Sequence, residues 1–189
     1  FDALDKIENQ TGEYFDAILT VQPTSPLINS TDILGSYTKL ISERLDTVLT
    51  VVDDRHLCWN YAGKELVPTY QERVNRQDLP KKFKETGAVI ACSREQILKG
   101  TRIGKKVGLY EVPQERSIDI DTISDLYLCE AILLRKRIVF NVAGYPAIGL
   151  GHAFRAVMLA NELVKYEIIF VCDEKSTIAA EYIKTFNYK

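Results

Sequence analysis

The sequence lacks the features that mark several protein classes. It has four cysteines in 189 residues, widely spaced and without a CxxC pair, which argues against a zinc site or a disulfide framework and favours a reducing, cytoplasmic compartment. No apolar run reaches the roughly 18 residues of a membrane span. The formal net charge of -2 provides no basic field for nucleic acid or an anionic membrane. We therefore expect neither as a partner.

What is present is a globular composition, 46% hydrophobic and 26% charged, which can bury a core. Residues 15–22 form an apolar run that suits a buried parallel strand, and residues 29–32 offer caps for a helix behind it. Residues 47–52 are a second β-rich run. Strand, helix and strand in this order predict a βαβ unit within a three-layer α/β fold.

The following residues, up to 136, alternate between regular and irregular patterns. A polar stretch at 71–80 is too charged for a core. The other predicted elements are a hairpin (57–61 and 65–67), strands at 87–92 and 107–112, a short helix at 93–98, and a segment at 117–121 that leads into an amphipathic helix.

The pattern of elements restarts after the basic run at 135–137. The prediction is a strand at 138–142, a helix at 152–165, a strand at 167–172 and a helix at 176–186. This βαβα unit is too small to cover both faces of its own sheet. We therefore predict two domains, residues 1–136 and residues 137–189, the second being the opening of an interrupted domain.

Polar residues with ligand-binding chemistry follow the first strand. In open α/β sheets ligands bind at the carboxyl ends of the strands. Gln22 carries a paired donor and acceptor that can read a base or a sugar, and Thr24 and Ser25 can bond hydroxyl or phosphate groups. The alternative is a proline-stiffened turn with a helix cap.

A basic cluster lies in the irregular middle of the chain. Such a cluster suits carboxylate or phosphate, which arginine can grip with two parallel hydrogen bonds. The alternative is a solvated charged surface. The cluster comprises Arg73, Arg76, Lys81, Lys82 and Lys84, with Asp78 as its acid.

Two acids, Asp119 and Asp121, follow the strand at 107–112. If this segment is extended, both side chains point to the same side, where two carboxylates could hold Mg²⁺ beside substrate phosphates. The alternative is helix capping: Asp121 or Thr122 could cap the next helix, with Thr122 and Asp125 resembling a capping box.

A glycine-containing turn, GLGH at 149–152, lies between a strand and a helix of the second predicted domain. Glycines let the backbone approach a phosphate, and His152 could act as a general base. The alternative is a structural histidine at a helix start.

The order of four motifs adds to these signals. QPTSPL at 22–27, NRQDLP at 75–80, ETGAV at 85–89 and RSIDIDT at 116–122 together resemble the acylneuraminate cytidylyltransferases, over about residues 1–136. The resemblance implies a Rossmann-like, glycosyltransferase-A-like sheet. It also implies an enzyme that uses Mg²⁺ to transfer CMP from CTP to a sialic-acid-like nonulosonic acid, releasing pyrophosphate, for surface glycans.

The resemblance also implies roles for residues. Gln22, Thr24 and Ser25 would bind the sugar acid, with Arg76 and Gln77 near it, and Arg76 would be catalytic. Asp119 and Asp121 would hold the catalytic metal. The segment 53–84 would form the arm of a homodimer.

Two departures from this family stand out. Its basic nucleotide loop is expected before residue 1, so the N-terminally incomplete chain is expected to be inactive alone. Ile28 stands where the family often has arginine.

Residues 138–189 resemble a second family, the UDP-sugar hydrolase of pseudaminic acid synthesis, which has a glycosyltransferase-B-like fold. The resemblance rests on IGLGH at 148–152, Arg155, LANEL at 159–163 and IFVC at 169–172. It implies that His152 activates water. Phe140 and Asn141 depart from the family's usual arginine and aspartate.

Other functions compete with CMP transfer to a nonulosonate. They are CMP transfer to an eight-carbon keto-deoxy acid, UDP-sugar hydrolysis by the second domain, and a degenerate sugar-nucleotide-binding or assembly module. The two resemblances agree on one pathway, nonulosonic acid metabolism.

Overall fold

The computed structural model describes residues 2–188 and divides into two compact units, one ending at Cys129 and the other beginning at Glu130. The predicted α/β fold is confirmed. The elements before the second unit's own strands are α1 (Asp2–Thr11), β1 (Ala17–Val21), α2 (Ser30–Ser42), β2 (Thr47–Asp53), β3 (Trp59–Ala62), β4 (Glu65–Pro68), β5 (Phe83–Ser93), α3 (Arg94–Leu98), β6 (Val107–Glu111) and α4 (Ile123–Leu133). Helix α1 has no counterpart among the predicted elements.

Four strands form the main sheet in the order β1-β5-β2-β6. Strands β2 and β6 are parallel, whereas β5 runs antiparallel to both β1 and β2. The prediction of a buried parallel strand at 15–22 was therefore wrong: β1 lies at an edge of this sheet and is mostly half-buried. The apolar run of β1 arises because helices cover the sheet. Such coverage does not depend on whether the neighbouring strand is parallel or antiparallel, so the run does not reveal the strand direction.

Helices cover both faces of the sheet. Leu40 of α2 packs with Val48 and Ala91 on one face, and Leu4 of α1 packs with Cys92 and Ile97 on the other. The central strand β2 is buried from Thr47 to Val52 because it has helices on both sides. These layers fix where the strand ends lie.

Capping side chains fix where two of the helices begin. Asn29 and Asp32 form a reciprocal capping box at the start of α2. Thr122 and Asp125 form another before α4, as predicted, with hydrogen bonds of 2.8 and 3.3 Å between each backbone N–H and the other's side chain. The Thr122 hydroxyl and backbone N–H lower the pKa of Asp125.

Helix α2 packs against the Tyr110 side chain of β6. A Cβ atom on Gly35 would collide with the ring of Tyr110. With the ring in this position, only glycine fits at position 35.

Strand β5 contains a large bulge opposite β2. Leu49 pairs with Ile90 and Val51 with Glu85, so the single residue Thr50 faces four residues, 86–89. Gly87 adopts a φ of 72° within this bulge. The strand was predicted to begin at residue 87, but it extends across the bulge and starts at Phe83.

The predicted hairpin is confirmed as β3 and β4, joined at Gly63, whose φ is 68°. Every residue in both strands is exposed. Trp59, Tyr61 and Leu66 are 55%, 75% and 57% exposed.

The second unit has the predicted βαβα order. Its elements are β7 (Arg137–Asn141), α5 (Gly151–Glu162), β8 (Glu167–Val171) and α6 (Thr177–Lys184), with β7 and β8 parallel. Val142, Val157 and Ile183 anchor its core. Among residues 2–188, no helix combines the length and apolarity that a membrane crossing requires.

Candidate functional site

The turn after β1 is held firmly against β5. The Gln22 N–H donates to the Ala88 carbonyl at 3.0 Å, and the Ser25 N–H donates back to the Gln22 carbonyl at 3.2 Å. Ser25 is buried, whereas Thr24 is exposed, and the Thr24 hydroxyl lies 3.4 Å from Gln22 Oε1. This contact engages the amide oxygen of Gln22 and leaves its Nε2 facing β5.

The segment after β6 returns to the same turn. The Ile120 N–H donates to the Thr24 carbonyl at 2.8 Å, and the Ser25 hydroxyl donates to Asp119 Oδ1 at 3.3 Å. Residues 22–25 and 119–120 are thus joined by both main-chain and side-chain hydrogen bonds. The predicted proximity of Asp119 to the Gln22 turn follows from the sheet, because β1 and β6 end at the same edge.

Gly87 lies beneath the point where these side chains converge. A Cβ atom built on Gly87 would stand 3.6 Å from Gln22 Nε2 and 4.0 Å from Asp119 Oδ2. The absence of a side chain therefore leaves a methyl-sized open space bordered by an amide nitrogen and a carboxylate oxygen. We call Gln22, Ser25, Gly87 and Asp119 the amide–carboxylate cluster.

A buried ion pair sets the position of the Asp119 segment. Arg116 donates to both carboxylate oxygens of Asp32, each at 2.8 Å, and the Asp32 side chain is 1% exposed. These hydrogen bonds and the attraction of the carboxylate raise the pKa of the Arg116 guanidinium. The pair ties the segment to the start of α2. Neither partner was among the predicted site residues.

Asp121 is related to Asp119 differently from the prediction. Residues 117–121 are not a strand, and the Asp121 N–H donates to the Asp119 carbonyl at 3.1 Å, a tight turn around Ile120. The alternation of side chains along an extended chain does not apply across this turn. Asp121 is exposed, and its role as a metal ligand remains a prediction.

Asp119 suits a hard cation. Its Oδ2 faces the open space over Gly87, and the carboxylate is half-buried. Residues 2–188 contain no group of three or more His, Cys, Asp or Glu that could enclose a metal ion. Mg²⁺ often takes only one or two protein carboxylates and fills its other positions with water and substrate phosphates. The donor set at Asp119 fits that pattern.

Arg76 and Gln77 lie in a separate cavity of about 330 Å³. Arg76 contacts the Gln114 amide oxygen at 3.4 Å, and Arg55 donates to the Gln77 carbonyl at 2.8 Å while paired with Asp53. The cavity follows the ends of β2 and β6, so it opens at the same sheet edge as the amide–carboxylate cluster. Within the described residues, no hydrogen bond joins Arg76 or Gln77 to that cluster.

The basic cluster around Arg76 is mostly solvated surface. Arg73, Arg76, Lys82 and Lys84 are exposed, and Lys81 pairs with Glu111 at 2.8 Å. The binding of an anion by this cluster stays a prediction.

His152 begins α5 in the second unit and is exposed. Its Nδ1 lies 3.3 Å from Arg155 Nη2. Gly149, before it, has a φ of 69° with nothing of the described chain within 4 Å of its Cβ position. The ring has a helical neighbour as partner, and its role as a base remains a prediction.

Sequence reasoning missed three groups that build the site: the Asp32–Arg116 pair, Gly87, and the hydroxyls of Thr50 and Thr86 in the bulge behind it. One signal was available. A helix N3 acid followed by apolar residues, as Asp32 is by Ile33 and Leu34, can be buried and then requires a cation.

An amide, a hydroxyl and a carboxylate thus converge at the carboxyl ends of strands in an α/β sheet, which is where ligands bind in open sheets of this kind. The chain is also similar to curated proteins. The chain is 29% and 28% identical to N-acylneuraminate cytidylyltransferases B and A of Danio rerio, over 128 and 129 residues. It is 23% identical over 143 residues to the post-translational flagellin modification protein B of Campylobacter coli.

These alignments cover 64% of this chain for the two fish proteins and 72% for the bacterial one. The chain spans 30% of the length of each fish protein and 61% of the bacterial protein. No family model matches the sequence. Two of these three relatives are named as cytidylyltransferases, and the similarity to them covers part of the chain. They give no support to the hydrolase-like interpretation of residues 137–189.

Proposed function

We propose that the first unit belongs to an enzyme that transfers CMP from CTP to a sialic-acid-like nonulosonic acid and releases pyrophosphate. The supporting observation is the convergence of Gln22 Nε2 and Asp119 Oδ2 over Gly87, at the sheet edge where the ligands of such folds bind. The names of the two fish relatives support the same chemistry. The proposed setting is the cytoplasmic synthesis of surface glycans.

Each residue has a task in this proposal. The Gln22 amide, with Thr24 and Ser25, orients the sugar acid so that its anomeric hydroxyl faces the α-phosphate. Asp119, aided by Asp121, holds Mg²⁺, which neutralises the charge on the phosphates. Ser25 donates to Asp119 Oδ1 and thereby leaves Oδ2 directed at the open space.

Arg76 and Gln77 are proposed to approach the sugar acid from the neighbouring cavity. An arginine at the cavity wall can bind a carboxylate through two parallel hydrogen bonds. Its contact with Gln114, at 3.4 Å, is long for a hydrogen bond and leaves most guanidinium donors available. Arg76 can therefore exchange that contact for a substrate.

The segment 53–84 is proposed as the arm of a homodimer. Its hairpin exposes Trp59, Tyr61 and Leu66, aromatic and apolar side chains that are enriched at protein interfaces. Light scattering of the full-length gene product, with and without Trp59→Ser and Tyr61→Ser, tests this. A monomer before substitution would contradict the arm.

The central test is an assay of CMP-sugar formation by the full-length gene product, with CTP, Mg²⁺ and a panel of eight- and nine-carbon keto acids. Asp119→Asn removes the charge but keeps the shape, so we expect kcat to fall by about a hundredfold or more. Asp16→Asn is the matched control, because Asp16 is exposed and precedes β1 at the opposite end of that strand. Equal activity in the two variants, or no transfer to any keto acid, would refute the proposal.

A further inference from the structure

Two buried hydroxyls lie inside the sheet behind the amide–carboxylate cluster. Thr50 of β2 and Thr86 of β5 are 1% and 6% exposed, and their Oγ1 atoms are 2.8 Å apart. The Thr50 side chain is not among the groups within 4 Å of the Cβ position of Gly87. Burying two hydroxyl groups costs free energy unless each has hydrogen-bond partners. The partners of these two groups therefore indicate which part of the structure they stabilise.

The pair supplies the hydrogen bonds that the bulge removes from the ladder. Since Thr50 alone faces residues 86–89, the main-chain groups of that stretch cannot all pair with β2. The Val89 N–H donates to Thr50 Oγ1 at 2.9 Å, and the Ala88 N–H donates to Thr86 Oγ1 at 3.3 Å.

The hydroxyl protons have main-chain acceptors as well as each other. Thr50 Oγ1 lies 3.1 Å from the Val89 carbonyl, and Thr86 Oγ1 lies 3.2 Å from the Thr50 carbonyl. The side chains thus replace the missing strand ladder on both sides of the bulge.

The bonded groups enclose Gly87. Thr86 precedes it, Ala88 follows it, and the Ala88 carbonyl accepts the Gln22 N–H. The φ of 72° at Gly87 is held between these fixed neighbours. A shift of the bulge would therefore displace Gly87 and, through the hydrogen bond between Ala88 and Gln22, the turn to which Asp119 is bonded through Ser25.

We propose that the Thr50–Thr86 hydroxyl pair is a positioning device that sets the Gly87 bulge, so that Gln22 and Asp119 face one ligand. The proposal rests on the proposed function for its effect on catalysis. We assign Thr50 and Thr86 as positioning residues, because their hydroxyl groups bond each other and main-chain groups at the bulge. Their geometry can be tested without any substrate.

The test compares variants that separate the hydroxyl from the methyl group. Thr50→Val and Thr86→Val remove the hydroxyl at nearly constant shape. Thr50→Ser and Thr86→Ser keep the hydroxyl and lose the methyl group. Both kinds of variant lower stability, so a purely structural role would affect activity in both alike.

In the full-length protein we expect the valine variants to lower kcat about ten- to a hundredfold, since small displacements of reacting groups have effects of that order. KM for CTP should stay within about twofold. The serine variants should keep at least half of the wild-type kcat. Equal losses in serine and valine variants, or valine variants with wild-type kcat, overturn the proposal.

Amide hydrogen exchange provides the readout that is independent of activity. The valine variants should lose protection at Ala88 and Val89, and the serine variants should retain it. Unchanged protection in both valine variants would refute the positioning role of the hydroxyl pair, even if the wild-type enzyme transfers CMP. Protection changes as expected, in a protein without CMP transfer, would refute the proposed function and leave the device standing. If Thr50→Val does not fold, the Thr86 variants decide, because Thr86 is the less buried of the two.

Discussion

Two glycines of this chain have almost the same backbone conformation and very different surroundings. Gly87 has a φ of 72° and Gly149 a φ of 69°. The Cβ position of Gly87 meets an amide nitrogen and a carboxylate oxygen, whereas that of Gly149 meets nothing of the described chain within 4 Å. A positive φ at a glycine thus indicates only a local turn or bulge of the chain. The polar side chains that face the glycine are what indicate a binding site.

The motif that is more conspicuous in the sequence is the one with fewer polar groups around its glycine in the structure. Gly149 belongs to a conspicuous GLGH turn, yet His152 is exposed and contacts its own helix through Arg155. Gly87 belongs to a strand and attracted no functional assignment on its own. The polar groups that face it, on Gln22 and Asp119, come from two distant parts of the chain.

Substituting each glycine by alanine is the strongest test of this difference. Both changes strain the backbone, at a cost of about 1–2 kcal/mol. Gly87→Ala also puts a methyl group between Gln22 and Asp119, so we expect CMP transfer to fall about ten- to a hundredfold in kcat/KM. Gly149→Ala should leave transfer unchanged. Similar activity of the two variants would erase the distinction.

Removing a buried polar partner should affect the two units to different extents. Asp32→Ala leaves Arg116 unpaired and removes a helix cap. Because Arg116 is about one third exposed and water can partly solvate it, we expect the free energy of unfolding of the first unit to fall by about 2–3 kcal/mol.

Ser176→Ala removes the acceptor of the Gly144 N–H in the second unit. We expect it to lower the free energy of unfolding of that unit by about 1 kcal/mol. Hydrogen exchange resolved by unit measures both.

Asp32→Asn is the control for the first of these changes, because it keeps an acceptor oxygen and loses the charge. It should be less destabilising than Asp32→Ala. A larger loss from Ser176→Ala than from Asp32→Ala would contradict the ranking.

The smallest expected effect concerns acid stability. Arg94 donates two hydrogen bonds to Glu8, which lowers the pKa of that carboxyl group. The stabilisation is therefore present above the pKa of about 4.3 of an unfolded glutamate and is lost as the pH falls through the lowered folded value. Urea unfolding at pH 7 and pH 3 should show a smaller pH dependence in Glu8→Gln than in the wild type.

Glu167→Gln provides the comparison in the second unit. Its partner Arg137 is 72% exposed and Glu167 itself 52%, and such exposed pairs contribute little. If Glu167→Gln changed acid stability more than Glu8→Gln, solvent exposure would not explain which of the two ion pairs contributes more to stability.

Local patterns sufficed to predict much of the fold. The apolar periods around Leu40 and Val48, the caps at Asn29 and Thr122, and the Gly63 hairpin depend on neighbours in sequence. The meeting of Gln22 and Asp119 also follows from a general rule, because strands of one direction end at one edge.

The parts that could not be predicted depend on distant pairings. Nothing near residues 83–93 indicates that this strand enters the sheet antiparallel between β1 and β2. Asp32 and Arg116 are 84 residues apart, and the capping role of Asp32 already explained its presence. The alternation rule failed at Ile120, because a single main-chain hydrogen bond turns the backbone there.

The contact between Gly35 and Tyr110 has a consequence for the way the protein can vary. Any larger residue at position 35 would have to displace the Tyr110 ring, which lies at the end of a side chain on β6. The residue types allowed at positions 35 and 110 are therefore coupled. In a library of substitutions we expect larger residues at position 35 to occur together with smaller residues at position 110, while the exposed neighbours Leu34 and Tyr37 accept many residues.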